Sequence, residues 1–397
     1  MILRHATVFD GQQFTDNQFV MVEGGQITAI QADSAATHAG HGEVIDLGGD
    51  YLVPGLIDLQ VYGGATEFLN ETPTPATVRH IWHSHARNGT TTLLPTLHST
   101  HLAEMQQAVE AVRVVRAEQP LNVPGIHLEG PYFNPVKRGA HRAEYIRVPD
   151  VTELDALFGP TANTIRILTL APEMLSPDRL TQLVALARRS GTLLSVGHTN
   201  ATYAQAMAAF GQNGPGQFRL ATHLYNAMRG FESREPGTVG AVLDHSLVCS
   251  SLVADGFHCA AAAIRLAWRV LEPSRLFLIS DALFANPPRP HFALDTFRVT
   301  YQPGTGQPGS PLHGRYVNEQ GTLAGTAITL LDCVRFCVQQ VGIPLADALR
   351  MATLTPATVL GMEHQIGRIA PGFPATMIRV GKALTLKGVW VAGGLLT

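Results

Sequence analysis

Five polar residues stand where short apolar runs of the chain end, and they are Gln60, Glu129, His198, His223 and Asp281. One carboxylate and two histidines can bind a divalent transition metal and leave a position for water, whose pKa the metal lowers toward neutrality. An aspartate nearby can take the proton and pass it to a leaving group. A single histidine at a strand end is more often an ordinary hydrogen-bonded residue, and Glu129 alone could be structural. The joint occurrence of these residues therefore carries the prediction of a hydrolytic metal centre.

The elements that must position these residues are apolar runs alternating with amphipathic helical stretches. Parallel strands buried on both faces read as such runs. The clearest helical stretches are 102–119 and 176–191, the second with serine at the N-cap, proline at N1 and glycine at its end. This alternation predicts a (β/α)8 TIM-like barrel over 52–364, with catalytic groups at the C-terminal ends of the strands. The predicted strands are 52–60, 90–97, 123–130, 164–172, 192–199, 218–226, 248–255 and 275–282.

Both ends of the chain lie outside this pattern. Residues 1–51 and 365–397 alternate in short strands separated by glycine-rich turns. Neither segment can build a stable sheet alone, so we expect one small composite β-sandwich domain. The stretch 286–321 is rich in proline and glycine and predicts a long loop with a short hairpin. That loop could be a lid over the site or a passive surface insertion.

Composition excludes several classes of protein. Hydrophobic residues make up 45% of the 397 residues and charged residues 15%, which fits a large buried core. A net charge of −3 gives no reason to expect nucleic acid or an anionic membrane as partner. No apolar run is long enough for a membrane span, and the strand-like alternation of the first residues does not predict a signal peptide. The four cysteines show no C-x-x-C spacing, which predicts free thiols and a cytoplasmic enzyme.

Several longer motifs point to one known family. Over nearly its whole length the sequence resembles the N-acetylglucosamine-6-phosphate deacetylases of the amidohydrolase superfamily. The combination of motifs is far more specific than any one of them. They include PGLIDLQ (54–60), HLEGPYFN (127–134), KRGAH (137–141), GHTNAT (197–202), THLYNAMRG (222–230), REPG (234–237), ADGFH (254–258) and SDA (280–282).

The resemblance implies a role for each residue of the reacting centre. Glu129, His198 and His223 would hold the metal. Asp281 would act first as general base and then as general acid. His141 would bind the substrate, polarise its carbonyl and stabilise the oxyanion. The implied reaction is hydrolysis of the N-acetyl amide of N-acetylglucosamine 6-phosphate, a step of amino-sugar catabolism or recycling, to glucosamine 6-phosphate and acetate.

The resemblance also implies a phosphate site. Asn226 and Ala227 would offer backbone N–H groups to the phosphate, with Arg234 and His258 as its cationic partners. One such contact can come from the adjacent subunit in this family, so a homodimer is implied. The alternative for Arg234 is a surface ion pair, the commoner situation of an arginine.

Strand 1 departs from the superfamily pattern. Many members carry His-x-His there and a carboxylated lysine between two metals, whereas this chain reads Gln60-Val61-Tyr62 and has no lysine at a barrel strand end. An amide is a poor transition-metal ligand compared with imidazole. We therefore predict one divalent metal per chain, zinc or iron, and leave the role of Tyr62 open.

Two other functions are compatible with the fold. The same barrel could hydrolyse a cyclic amide or a nucleobase, but such substrates do not need the phosphate-binding set of Asn226, Arg234 and His258. A catalytically inactive barrel could serve as a scaffold, but inactive relatives usually lose metal ligands, and none is lost here. Fold analogy alone does not decide among these functions.

Overall fold

The computed structural model describes most of the chain. The described residues are 1–33, 43–159, 161–211, 218–284, 289–294, 297–304 and 314–396. Within them the helices are α1 (Pro75–Ala86), α2 (Leu102–Glu118), α3 (Val151–Leu157), α4 (Pro177–Ser190), α5 (Tyr203–Phe210), α6 (Gly237–Asp244), α7 (Ala261–Arg275), α8 (Leu330–Phe336), α9 (Leu345–Ala352) and α10 (Leu354–Val359).

The strands form three sheets. One is made by the two terminal segments, one is the barrel, and the third is a four-stranded sheet between the last barrel strand and helix α8. In chain order they are β1 (Ile2–Phe9), β2 (Phe14–Glu23), β3 (Gln26–Ala32), β4 (Val44–Asp46), β5 (Tyr51–Pro54), β6 (Leu56–Val61), β7 (Thr90–Leu97), β8 (Ile126–Glu129), β9 (Ile165–Leu170), β10 (Leu193–Val196), β11 (Phe218–Ala221), β12 (Cys249–Val253), β13 (Leu276–Ile279), β14 (His291–Leu294), β15 (Phe297–Pro303), β16 (Gly314–Asn318), β17 (Leu323–Thr326), β18 (Met377–Val380), β19 (Leu386–Val391) and β20 (Gly394–Leu395).

Strands β6 to β13 form the barrel, in sequence order and parallel throughout. The first and last strands meet where Val61 forms a parallel bridge with Ala282. The amide of Asp281 also donates to the carbonyl of Gln60 over 3.1 Å. The predicted (β/α)8 barrel is confirmed, and helices α2 and α4 lie where the amphipathic stretches predicted them.

The two ends of the chain share one sheet, as predicted. Its strand order is β20-β19-β18-β5-β1-β2-β3, with β4 pairing to β1. Buried residues from both ends, including Leu3, Val20, Met377 and Trp390, pack into one core. A separate domain of the β-sandwich type therefore exists beside the barrel. The boundaries at 51/52 and 364/365 stay a prediction, and 34–42 lie outside the described residues.

The predicted strand 52–60 is two strands in two different sheets. Strand β5 pairs with β1 and β18, whereas β6 pairs with β7 in the barrel. The chain changes sheets at Gly55, where a Cβ would lie 1.9 Å from Oγ1 of Thr91. Apolar periodicity could not predict this break because both pieces are buried and apolar, and only the glycine between them marks it.

The stretch predicted as a loop with a hairpin forms most of a four-stranded antiparallel sheet, which we call the cap sheet (β14–β17). Its inner face packs on the barrel mouth, where Phe292 and Phe297 contact Phe68 and Tyr316 contacts Phe284. The alternating polar and apolar residues of β15 suit a sheet with one covered face. Residues 285–288, 295–296 and 305–313 of the predicted loop lie outside the described residues.

Two predictions about the chain's environment can be compared with the described residues. All four cysteines are free, and Cys259, Cys333 and Cys337 are buried. No helix in the described part of the chain is long and apolar enough to cross a membrane. The prediction of free thiols is therefore confirmed for these four residues, and the three buried ones pack as small apolar side chains.

Candidate active site

The residues singled out by sequence converge at the C-terminal mouth of the barrel. Glu129 ends β8, while His198, His223 and Asp281 follow directly after β10, β11 and β13. All four line one cavity of about 200 Å³. The three that follow strands have φ values of 49°, 39° and 55°, in the left-handed region that non-glycine residues rarely adopt. Such strained backbone is typical of functional sites, where the surrounding fold imposes it.

Glu129, His198 and His223 form a compact buried cluster. The Oε1 atom of Glu129 lies 3.0 Å from Nε2 of His223, which lies 3.1 Å from Nε2 of His198. Two imidazole nitrogens and a carboxylate oxygen this close are stable only with a proton or a cation between them. This donor set is one that divalent transition metals bind. The cluster therefore fits a metal ion.

Neighbouring groups prepare these side chains to act as ligands. Nδ1 of His198 lies 2.9 Å from the carbonyl oxygen of Lys137. A carbonyl only accepts, so this nitrogen carries the proton and Nε2 presents a lone pair. Burial lowers the pKa of His198 to about 4, which keeps the ring neutral. Burial would raise the pKa of Glu129, but contacts with His141, His198 and His223 hold it well below its usual range.

A second group of possible ligands is less suitable for a metal. Atoms of His98, Glu129 and His141 also lie within 4.8 Å of one another. The rings of His98 and His141, however, stack at 4.1 Å with 17° between their planes. Imidazole lone pairs lie in the ring plane, so those of stacked rings run side by side and do not converge on one ion.

Asp281 faces the cluster from the other side of the barrel. Its Oδ1 accepts from Nε2 of Gln60 at 2.8 Å and lies 3.2 Å from the hydroxyl of Tyr62. Burial and the nearby charge of Glu129 raise the pKa of Asp281 to about 6. A carboxyl group with such a pKa can both accept and donate a proton near neutral pH. Gln60 and Tyr62 also hydrogen-bond Glu129, so the C-terminal end of β6 and the residue just after it supply donors to both carboxylates.

His141 is fixed by Ser99. The backbone amide of Ser99 donates to Nδ1 of His141 over 3.3 Å, and the Ser99 hydroxyl lies 2.8 Å from the same atom. An accepting Nδ1 leaves the proton of neutral imidazole on Nε2. That nitrogen lies 3.2 Å from Oε2 of Glu129, at the edge of the cluster. His141 is therefore placed to donate a hydrogen bond to an oxygen bound beside the cluster.

The proposed phosphate end is only partly assembled in one chain. Asn226, Ala227 and His258 line the cavity, whereas Arg234 is exposed and is not among the residues that line it. The amide of Asn226 already donates to the carbonyl of His223 over 2.9 Å. This bond weakens the expectation that both Asn226 and Ala227 offer free N–H groups. Ala227 is the better donor of the two.

His258 lines the cavity near Asn226 and Ala227. Its Nδ1 lies 2.6 Å from Oδ2 of Asp255, which leaves Nε2 on the cavity side. Burial opposes a charge on the ring, but the Asp255 carboxylate outweighs it and raises the pKa of His258. This shift favours the protonated ring, which would suit an anionic ligand.

Sequence reasoning missed the residues that orient or adjoin the site. Ser99 and His98 follow directly after β7, so the same search for polar residues at strand ends could have found them. The Lys137 carbonyl carries no side-chain signal. Arg315 of the cap sheet lies with its guanidinium 5.0 Å from the ring centre of Phe257, close enough for its charge to act on His258. Only the folded structure brings that strand to the site.

Comparisons with known proteins agree with this geometry. The model of the amidohydrolase family matches residues 51–396. An N-acetylgalactosamine-6-phosphate deacetylase of Shewanella sp. (strain ANA-3) is 31% identical, over 100% of this chain and 96% of that protein. An N-acetylglucosamine-6-phosphate deacetylase of Haemophilus influenzae is 32% identical, over 89% of this chain and 88% of that protein.

Solved structures give the same result. N-acetylglucosamine-6-phosphate deacetylase from Pasteurella multocida superposes with a TM-score of 0.89 at 30% identity, over 99% of this chain and 98% of that one. The enzyme from Mycobacterium smegmatis in complex with N-acetyl-D-glucosamine-6-phosphate superposes with a TM-score of 0.88 at 27% identity, over 100% of this chain and 99% of that one. The chain therefore belongs to the amidohydrolase family, in the branch that contains the amino-sugar 6-phosphate deacetylases.

Proposed function

We propose that this chain is a metal-dependent deacetylase that converts N-acetylglucosamine 6-phosphate and water into glucosamine 6-phosphate and acetate. The observation that carries the proposal is one cavity in which Glu129, His198 and His223 meet, with Asp281 on one side and His141 on the other. Metal held by these three ligands would polarise the amide carbonyl and make water acidic near neutral pH.

The protein side chains account for the proton transfers. Asp281 accepts a proton from the attacking water and returns it to the amine nitrogen as the carbon–nitrogen bond breaks. Its pKa of about 6 suits both steps. His141 donates from Nε2 to the carbonyl oxygen, which becomes more negative in the transition state.

Recognition of the phosphate rests on two chains in this proposal. His258 and the Ala227 amide would contact the phosphate from within the cavity. Arg234 is exposed at the surface, so it would reach the phosphate site of a partner subunit in a homodimer. Arginine can make two parallel charge-assisted hydrogen bonds to a phosphate group, which favours it for this contact.

We expect one tightly bound divalent ion per chain, zinc or iron. Gln60 at the end of β6 and Tyr62 just after it stand where a second ion would need imidazole ligands, and the stacked rings of His98 and His141 do not supply them. Elemental analysis of the purified protein tests the number of ions per chain, and activity is followed while the metal is removed and returned. Two ions per chain, with activity following the second, would disprove it.

A second candidate substrate is the C4 epimer, N-acetylgalactosamine 6-phosphate. Relatives from Shewanella and from Escherichia coli O157:H7, at 31% and 30% identity, are deacetylases of that sugar. Acetate release should be measured for both epimers and for unphosphorylated N-acetylglucosamine. The proposal requires a higher kcat/KM for N-acetylglucosamine 6-phosphate than for either of the others. A higher value for the galactosamine epimer would assign that substrate instead.

The two rival functions lack support. A cyclic amide or a nucleobase gives no use for His258, whose pKa the Asp255 carboxylate raises, beside the cavity. An inactive scaffold gives no reason for three buried ligands to converge beside a carboxyl group of raised pKa. A cytoplasmic location remains part of the proposal, and the free buried cysteines support it.

A further inference from the structure

The cap sheet brings an arginine close to the proposed phosphate end of the active-site cavity. Strand β17 lines this cavity through Leu323, Ala324 and Gly325. Strand β16 pairs with β17, and Arg315 of β16 lies opposite Thr326. The sheet that covers the barrel mouth therefore also places a guanidinium group beside the site.

The guanidinium of Arg315 lies over an aromatic ring next to His258. Its central carbon is 5.0 Å from the centre of the Phe257 ring, within the range of a cation–π contact. Phe257 directly precedes His258, which lines the cavity. Arg315 itself is half-buried. Stacking on the ring orients the plane of the guanidinium and leaves its edge available for another group.

Arg315 has donor groups that its protein contacts do not use. Its Nε donates to Oε1 of Gln302, on the neighbouring strand β15, over 3.2 Å. Its terminal nitrogens make no hydrogen bond or ion pair with any residue that the structure describes. Those nitrogens can make two parallel, charge-assisted hydrogen bonds to an oxyanion.

His258 and Arg315 are basic side chains that disfavour each other's charge. Burial lowers the pKa of His258, the Asp255 carboxylate raises it, and the nearby charge of Arg315 also lowers it. Like charges placed side by side are unfavourable, so this arrangement needs a compensating group. An anion bound between the two side chains would replace their repulsion with two attractions.

A phosphate monoester suits this position and needs such a partner. It carries a charge of about −1.5 to −2 near neutral pH, and its terminal oxygens accept several strong hydrogen bonds. From within the cavity, His258 and the Ala227 amide can each donate only one hydrogen bond to it. A guanidinium from the same chain would supply both charge and further donors.

We propose that Arg315 is a phosphate-binding residue, which contacts the 6-phosphate of the sugar from the cap sheet while His258 of the same chain contacts it from the barrel. This inference rests on the proposed function. The guanidinium stays on the Phe257 ring and donates from its terminal nitrogens to phosphate oxygens. Arg234 of the partner subunit would then be a second arginine at this phosphate.

The test removes the charge of Arg315 and keeps its packing. Arg315→Met retains a long unbranched side chain that can lie on the Phe257 ring. The metal-loaded enzyme is assayed for acetate release from N-acetylglucosamine 6-phosphate and from unphosphorylated N-acetylglucosamine. For the phosphorylated sugar kcat/KM should fall by about 10–100-fold, the usual effect of losing a hydrogen bond to a charged group. For the unphosphorylated sugar it should change by less than about twofold.

Arg298→Met is the matched control. Arg298 lies on β15 of the same sheet, with its side chain 62% exposed and 3.9 Å from the Glu319 carboxylate. An exposed ion pair contributes little, so kcat/KM for both sugars should stay within about twofold of wild type. If the two variants behave alike, or if Arg315→Met lowers kcat/KM equally for both sugars, Arg315 does not bind the phosphate.

A binding measurement separates phosphate contact from a structural effect. Calorimetric titration of the metal-loaded enzyme with glucosamine 6-phosphate should give a Kd at least about tenfold higher in Arg315→Met. Arg315→Lys should restore part of the affinity, because it keeps the charge and loses the paired donors. An unchanged Kd in Arg315→Met would overturn the proposal even where turnover falls. Arg315→Gln takes its place in every measurement if the methionine variant does not fold.

Failure of the proposed function gives a different result. In that case the wild-type enzyme itself releases no acetate from N-acetylglucosamine 6-phosphate, and the role of Arg315 fails with it. A wild-type enzyme that prefers the phosphorylated sugar, with the same preference in Arg315→Met, overturns the role of Arg315 alone.

Discussion

At the scale of single residues, the site is built from side chains whose protonation is set by distant partners. His198 is oriented by the Lys137 carbonyl, and His141 by Ser99. The sequence could predict that Glu129, His198 and His223 meet, because each lies at or just after the C-terminal end of a barrel strand. It could not predict which nitrogen carries a proton, since the orienting groups lie in loops remote along the chain.

Asp281 is the first residue whose replacement tests the mechanism. Asparagine keeps the size and can still accept a hydrogen bond from Gln60, but it cannot carry a proton between water and amine. Asp281→Asn should lower kcat by about 10²–10⁴-fold while the metal content stays unchanged. Steady-state kinetics together with elemental analysis check both parts. Near-normal turnover in this variant would place the base elsewhere.

Tyr62 is the second residue whose replacement tests the mechanism, because its hydroxyl contacts both Glu129 and Asp281. Partners that hydrogen-bond a metal ligand typically contribute about 10–100-fold to metal affinity or activity, and Tyr62→Phe should lose that much. Competition with a chelator and kcat/KM measure the two effects. The matched control is Tyr316→Phe, which removes a buried hydroxyl that donates to the Arg289 carbonyl in the cap sheet. Equal effects of the two variants would show that the Tyr62 hydroxyl has no specific role at the metal ligands.

At the scale of elements, the sequence predicted the repeating strands and helices of the barrel. It did not predict elements whose formation depends on particular tertiary contacts, such as the cap sheet. Strand β7 begins and ends where it was predicted, because its eight buried residues are threonine, leucine or proline and a glycine and a histidine flank them. The cap sheet was expected to be a loop with a hairpin, since proline and glycine dominate that stretch. Its strands are stabilised by packing of Phe292 and Phe297 on Phe68, a contact between segments far apart in sequence.

The change of sheets at Gly55 gives a prediction about stability. A methyl group there would overlap the Thr91 side chain, where the ideal Cβ position is 1.9 Å from Oγ1. Gly55→Ala should therefore lower the free energy of unfolding by about 1–3 kcal/mol, the usual cost of overpacking a tight core. Denaturant unfolding of the metal-loaded protein measures the change.

Gly394 supplies the control for this substitution. An ideal Cβ there meets only the Val391 carbonyl at 3.5 Å, an ordinary contact. Gly394→Ala should change the free energy of unfolding by no more than about 0.5 kcal/mol. If both variants unfold at the same denaturant concentration, the close approach of Gly55 to Thr91 does not matter for stability.

At the scale of the whole molecule, one chain leaves the proposed phosphate end incomplete. His258 and Ala227 line the cavity, while Arg234 points to the outside of the same chain. Phe231, in the same surface segment, is 63% exposed. An exposed aromatic beside a charged residue suits a subunit interface, since aromatic residues and arginine are enriched there. The homodimer is therefore both a structural and a catalytic expectation.

The size of the loss in kcat/KM caused by Arg234→Ala is the first test of this expectation. Loss of one partner of a desolvated charge pair costs about 2–4 kcal/mol, and kcat/KM for N-acetylglucosamine 6-phosphate should fall accordingly. Hydrolysis of unphosphorylated N-acetylglucosamine should hardly change, because that substrate has no phosphate to lose. Equal losses on the two substrates would make Arg234 a structural residue.

Mixed dimers then decide which chain's site Arg234 completes. One chain carries Asp281→Asn and the other Arg234→Ala, and the two are co-expressed with different tags and purified together. If Arg234 acts in the partner's site, the Arg234→Ala chain keeps its own Asp281 and receives an intact Arg234 from the other chain. One site per mixed dimer is then complete, and activity returns although each parent variant is impaired. If Arg234 acts in its own chain, both sites stay defective and the mixed dimer remains as weak as its parents. A monomeric wild-type enzyme with full activity would contradict the shared site altogether.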